Sequence, residues 1–251
     1  MLFPEVIKRL QEEYEKRNTI EELNTLQPDP LMVAKRYKEE YSALVCALFA
    51  YGNAKNIVTF LNTLDMNLLD EKEAHIKKAL QATYYRFQTP LDVQAFFITL
   101  SCLKREHISL ESLFLEGYQK QANVLDGLAS LLKALYDINP YRSQGYQFLL
   151  GTIPTLCPKS PYKRWNMYFR WMVRCDALDF GLWKGVHPKD LLVPLDTHTF
   201  HVGKQLGFIK RKSYDFKAVL ELTHALARIE PLDPVKYDFA LYRLGQENII
   251  V

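Results

Sequence analysis

Long apolar runs are missing from this 251-residue chain: the longest, Ala43 to Tyr51, has nine residues. A helix needs roughly 20 to cross a bilayer. The opening stretch MLFPEVIKRLQEEYEKRN is charged throughout, unlike a secretion signal. Both absences predict a soluble, unsecreted, cytoplasmic protein with no membrane partner. Cysteine is scarce too. Cys46, Cys102, Cys157 and Cys175 stand 56, 55 and 18 residues apart, which fits neither a zinc pattern nor a clustered iron–sulfur run. Four isolated thiols suit a reducing cytosol and predict small buried hydrophobes. Glycine supplies only ten residues, and no glycine-rich phosphate loop, HExxH or GxSxG is present. Nucleotide-binding, zincin and serine-hydrolase chemistry therefore lose their usual motifs, and no solenoid period is visible.

What is present is enough for a core: 48% apolar, 24% charged and 13% aromatic residues. At this length the chain forms one large domain or two small subdomains. Leu occurs 38 times against 25 Val plus Ile, and apolar residues recur at spacings of three and four, the helical period. Phe3, Val6, Ile7, Leu10 and Tyr14 make one stripe, with Pro4 placed where a first turn tolerates it. Further helices are expected at 41–51, 55–64, 70–80, 90–105, 122–136, 143–150, 162–175, 197–206, 215–228 and 234–244. Prolines sit between many of them as breakers, Pro28 and Pro30 among them. Only 191–195 and 207–210 read as short strands. The expectation is an all-helical protein.

Charge is unevenly spread. Residues 159–212 hold eleven Lys or Arg against four acids, giving +7 there and −4 elsewhere. A basic third on a slightly acidic body is the pattern of a polyanion-binding face, or of an ordinary solvated surface.

The same region has the densest chemistry, KSPYKRWNMYFRWMVR followed by LLVPLDTHTFHVGKQLG. On a helix from Tyr162, residues Trp165, Phe169, Met172 and Val173 form an apolar face, while Lys163, Asn166, Arg170 and Arg174 form a polar stripe. Lys163 falls in the first turn, where the positive end of the helix dipole and any desolvation disfavour the ammonium. A free amine is what a Schiff-base lysine requires. Asp196, with Pro194 before it and Gly207 closing the next helix, is placed as an N-cap. A capping carboxylate kept ionised by backbone N–H groups can also stabilise a nearby cationic transition state.

A helix opening K-x-x-N, here Lys163 and Asn166, followed later by PLDTHTFHV, resembles the active-site pair of the helix-hairpin-helix DNA glycosylase superfamily. The resemblance implies that Lys163 attacks the sugar C1′ and that Asp196 supports the oxocarbenium-like centre. Their separation of 33 residues is most similar to that in archaeal 8-oxoguanine DNA glycosylases. The late segment DPVKYDFALYRLG extends that similarity, implying that Asp238 and Tyr242 line the base pocket. In a helix these two share one face. AYGNAKN takes the place of polar residues that reach the lesion, implying Tyr51 and Asn53. The chain also resembles a bacterial glycosylase-like family of unassigned function. Two departures stand out. The hairpin L-P-G-(V/I)-G is replaced by IPTLCPKSP, so the DNA anchor is expected from Lys159, Ser160, Arg164, His198 and the run Lys210, Arg211, Lys212. The four-cysteine cluster motif is absent, and no cofactor or metal is expected.

By this resemblance the fold is two helical subdomains with a cleft between them, residues 40–175 forming a central bundle and 1–39 with 176–251 the second lobe. The implied activity is base-excision repair: a glycosylase and abasic-site lyase acting as a monomer on damaged double-stranded DNA, excising an oxidised purine such as 8-oxoguanine, with no obligate protein partner. Two alternatives stay open. One is a glycosylase for another lesion such as an alkylated purine, and the other is a non-catalytic helical nucleic-acid-binding protein.

Overall fold

A computed structural model describes residues 4–156 and 158–247; Phe3 of the first expected stripe and Cys157 lie outside the described residues. The protein is all-α. In chain order the helices are α1 (Pro4–Arg17), α2 (Pro30–Tyr37), α3 (Glu40–Leu48), α4 (Ala54–Leu61), α5 (Glu73–Ala79), α6 (Pro90–Arg105) and α7 (Leu110–Tyr118). There follow α8 (Val124–Ile138), α9 (Gln144–Leu150), α10 (Lys163–Val173), α11 (Thr197–Gln205), α12 (Phe216–Ala227) and α13 (Asp238–Gln246). Among the described residues there is no strand, only isolated bridges at Tyr85 with Gln88 and Cys175 with Phe180. Along 191–195, Leu191, Val193 and Leu195 are buried in alternation, as in a strand, but no partner ladder forms. The run 207–210 is likewise irregular.

Two helices go beyond the periodicity. For α2, Pro30 is the first helical residue and not a breaker, and the Asp29 carboxylate caps it by accepting the Leu31 N–H at 2.9 Å. For α7, the Ser109 hydroxyl accepts the Glu111 N–H at 3.1 Å. The thiols depart from expectation as well: Cys46 is buried, but Cys102 and Cys175 are exposed. Cys102 lies on the outward side of α6, whose Phe96, Phe97, Leu100 and Leu103 face the core.

The chain divides into two compact units, Pro28–Thr155 and Met1–Gln27 with Leu156–Val251. These boundaries fall at 27/28 and 155/156, not at 39/40 and 175/176. The shift has a physical origin at each end, because α2 packs on α3 and α4, whereas α10 is tied by ion pairs to residues late in the chain. In the first unit, Leu44, Leu48, Phe49, Phe96, Phe97, Leu128 and Leu132 are fully buried. In the second, α1 is latched to the end of α13, Arg17 donating to both oxygens of Glu247 at 2.9 and 2.5 Å. Helices α11 and α13 meet closely at Gly245, where an added Cβ would stand 2.7 Å from that of His198.

Candidate functional site

Helix α10 begins without a capping side chain. Its N-cap, Tyr162, is left-handed at φ 47° and ψ 36°, a conformation that costs a non-glycine residue about 1–2 kcal/mol. Contacts across the turn hold it there. The Tyr162 ring is buried and meets Phe216 edge-on at 6.4 Å. Phe216 in turn donates its N–H to the Lys159 carbonyl at 3.2 Å. Lys163 is thus the first residue of the helix, half-buried, with its amine 3.6 Å from the Met167 sulfur.

The apolar face of α10 is buried as expected, Trp165, Phe169, Met172 and Val173 included. The polar stripe behaves differently: Asn166, Arg170 and Arg174 are also buried. A guanidinium leaves water only with partners, and acids from three segments supply them. Arg170 donates to Asp179 at 3.2 Å and to Asp238 at 2.6 Å. Arg174 grips both oxygens of Asp233, at 3.1 and 2.8 Å, and pairs with Asp176 and Asp179. Two cations of the basic third therefore face inward, neutralised.

Asp196 is the N-cap of α11, its carboxylate accepting the Thr199 N–H at 2.8 Å. The neighbouring Tyr214 phenol donates to the Leu195 carbonyl at 2.6 Å. Burial, and then the Asp196 charge, push that phenol above its ordinary range. Asp238, the first residue of α13, is 4% exposed. Burial pushes its carboxyl up to about 6; Arg170 opposes this, the Asp196 carboxylate adds to it and the Lys163 ammonium opposes it. Lys163 and Asp196 therefore each act electrostatically on Asp238, and the three residues stand at the starts of three helices in one unit.

One turn beyond Asp238, the Tyr242 hydroxyl accepts from Gln246 at 2.7 Å, and its half-buried ring meets His198 edge-on at 6.0 Å. Lys159, Ser160, Lys210 and Lys212 are exposed, and Arg164 is half-buried. Arg211 differs from its neighbours. It forms a two-pronged pair with Asp215 at 3.1 and 2.7 Å, which reduces its value as a phosphate ligand. Among the described residues no three His, Cys, Asp or Glu side chains gather as a metal site.

Tyr51 and Asn53 belong to the other unit. The Asn53 side chain caps α4, accepting from Lys55 N–H at 3.0 Å. Tyr51 sits in an aromatic group, with ring centroids at 5.1 Å from Tyr85, 5.0 Å from Phe148 and 5.8 Å from Phe87. The Arg86 guanidinium lies 5.6 Å from the Tyr51 centroid. Gly52, at φ 106°, makes this possible, because a Cβ there would stand 2.1 Å from an Arg86 nitrogen. Phe87 and Phe148 are 50% and 42% exposed. Nothing in a motif marks Arg86, Phe87 or Phe148; the aromatic and cationic run Tyr84–Tyr85–Arg86–Phe87 points to the first two, and no sequence signal points to Phe148.

Residues 29–247 match the family described as "Protein of unknown function (DUF2400)". The chain belongs to this family. The DUF2400 match spans every charged and aromatic residue of both groups described above, from Tyr51 to Tyr242, and leaves α1 outside it. No curated protein and no solved structure matches the chain.

Proposed function

We propose that this DUF2400 protein is a DNA glycosylase with associated lyase activity, excising an oxidised purine, with 8-oxoguanine the leading substrate. The observation that carries the reading is that Lys163 and Asp196, each at a helix start, both act on the buried Asp238 carboxyl at the start of a third helix in the same unit. A lysine in a first turn and a capping carboxylate that act on the same buried acid have no evident role in simple binding. They suit covalent catalysis at a centre that becomes cationic. In this reading a damaged nucleotide leaves the stack. The Lys163 ammonium gives up a proton, which leaves on the departing base, and the freed amine bonds to C1′ as the C1′–N bond breaks and its electron pair leaves with the base. Asp196 stabilises the positive charge on the sugar, and Asp238 with Tyr242 faces the base. Exposed Lys159, Lys210 and Lys212 in the same unit supply phosphate contacts. In the other unit, the aromatic and arginine group at Tyr51 suits stacking with unpaired bases.

Borohydride trapping on duplexes carrying 8-oxoguanine, an alkylated purine or no lesion tests this. The expected result is a covalent adduct on the 8-oxoguanine duplex, lost in Lys163→Gln while DNA binding is nearly retained, since one phosphate contact among several changes the salt slope by about one. Loss of the adduct in Lys159→Gln instead would move the nucleophile. Base release from the alkylated duplex without any adduct would replace the covalent mechanism with a water-mediated one. DNA binding with no base release on any duplex would overturn the enzymatic reading.

A further inference from the structure

The turn that presents Lys163 is built without a glycine, and one buried side chain spans it. Asn166, on the polar stripe one turn after Lys163, is 2% exposed. Its amide nitrogen reaches back over the helix start and donates to the Pro161 carbonyl at 3.1 Å. That carbonyl immediately precedes the left-handed residue, Tyr162 at φ 47°. Pro161 has a fixed φ of its own. On the other side of the turn the Ser160 hydroxyl accepts the Tyr162 N–H at 3.3 Å. The backbone from 160 to 163 is therefore held at both ends, and the direction in which the Lys163 Cα–Cβ bond leaves the helix is fixed with it.

We propose that Asn166 is a positioning residue for Lys163: by holding the Pro161 carbonyl it keeps the left-handed turn that sets where the lysine amine stands. The proposal rests on Lys163 being the nucleophile. A helix start lacks partners for its N–H groups, not for the carbonyl that precedes it, so the part-buried contact of Asn166 with the Pro161 carbonyl serves the turn and not the helix. Burying an asparagine to hold this one carbonyl is the cost of placing the next side chain. Small errors in the placement of a nucleophile are expensive, because reaction needs a near-attack geometry.

Asn166→Asp tests this with almost no change of shape: it puts an oxygen against the Pro161 carbonyl where a donor had been. Single-turnover borohydride trapping on an 8-oxoguanine duplex is followed as enzyme is titrated. The maximal trapping rate is expected to fall on the order of 10- to 100-fold, with the half-saturating enzyme concentration changed by less than about threefold. A merely structural role would not split the two quantities in this way. Ser160→Ala, at an exposed position, is the milder second variant and decides the matter if Asn166→Asp does not fold; a loss of about two- to fivefold in the same rate is expected. Wild-type trapping rates in the folded variants, with the adduct still lost in Lys163→Gln, would overturn the positioning role and leave the nucleophile assignment standing. A raised half-saturating concentration at an unchanged rate would overturn it in favour of DNA contact. Trapping that survives in Lys163→Gln would overturn the nucleophile and the positioning role together.

Discussion

Two buried aspartates, one in each unit, are tuned in opposite directions. Asp92 of α6 is 1% exposed and Asp238 of α13 is 4% exposed, so burial alone would raise both. Around Asp92, neutral donors converge: the Ser143 hydroxyl, the Thr89 N–H at 2.7 Å, the Thr89 hydroxyl at 2.9 Å and the Tyr141 hydroxyl at 3.0 Å. They outweigh desolvation and hold the carboxyl below its ordinary range. Asp238 has the Arg170 guanidinium at 2.6 Å, yet burial and the Asp196 charge win and its carboxyl rises to about 6. The difference has two sources: Asp238 is more deeply enclosed by protein than Asp92, so desolvation weighs more on it, and its one cation is shared. Arg170 also serves Asp179. Asp92 is arranged to finish the start of α6 and link it to the start of α9 through Ser143. Asp238 is left with a proton affinity near neutrality, beside a lysine and a second acid, which is where reactive groups collect.

The largest effect should come from removing the cation. Arg170→Met keeps much of the volume but leaves Asp179 and Asp238 buried without it, and breaking a buried pair in this way costs about 3–5 kcal/mol. Tyr141→Phe, which takes away one of the donors to Asp92, should cost only about 1 kcal/mol. Urea denaturation of the two variants measures both. Equal losses would erase the contrast between an ion-paired and a donor-satisfied acid.

The pH dependence of stability should separate the two acids by sign. For Asp238 the folded carboxyl binds its proton more tightly than the unfolded one, whose value is 3.8. Its contribution is complete below that value and is lost as pH rises towards about 6. Asp179, also raised by burial, acts in the same direction. Asp92 runs the other way: its contribution is complete above the unfolded value of 3.8 and is lost as pH falls below it. Stability of the wild type minus that of Asp238→Asn should therefore fall between about pH 4 and 6, by up to about 3 kcal/mol. The matching difference for Asp92→Asn should stay flat over that window. A rising Asp238 difference would mean that Arg170 dominates its environment.

At neutral pH, Asp92→Asn itself should cost about 1–2 kcal/mol, because an amide cannot accept from all the donors that the carboxylate satisfies. Trapping activity per folded molecule should be unchanged. A loss of activity without a loss of stability would move Asp92 out of its purely structural role.

These contrasts explain what could be read in advance. The two faces of α10 were legible from spacing, because helical periodicity is a local property. The burial of its polar stripe was not: Asp179, Asp233 and Asp238 lie nine, 59 and 68 residues from their arginine partners, and no local pattern announces such a pairing. Of the eleven cations in 159–212, Arg170 and Arg174 therefore do not contribute to a charged surface. Asp196 was legible as a cap, since a proline before it and a glycine after the helix frame it. Pro30 misled because a breaker and a first-turn residue look alike unless the aspartate before it is weighed. The aromatic group at Tyr51 needed three dimensions, as Phe148 is brought to it from α9.

Asp196 is related to each of the other two acids and so gives the finest test. Like Asp92 it accepts a backbone N–H at a helix start, from Thr199 at 2.8 Å; and its charge, like that of Lys163, acts on Asp238. Asp196→Asn preserves the first relation, since Asn and Asp cap almost equally well, and the expected change in stability is only about a few tenths of a kcal/mol. It removes the charge that defines the second. If Asp196 only caps, thermal melts and single-turnover base release should both be nearly unchanged. If it faces a sugar that becomes cationic, the melt should hold while base release from an 8-oxoguanine duplex slows on the order of 100-fold, equivalent to about 2.7 kcal/mol of transition-state stabilisation. Because the neutral amide also lifts a repulsion from Asp238, the Asp238 carboxyl should titrate lower in this variant, which narrows the pH window of its stability contribution from the upper side. A slowed reaction with that narrowed window would tie the two carboxylates to one site, whereas a slowed reaction with the window unmoved would separate them.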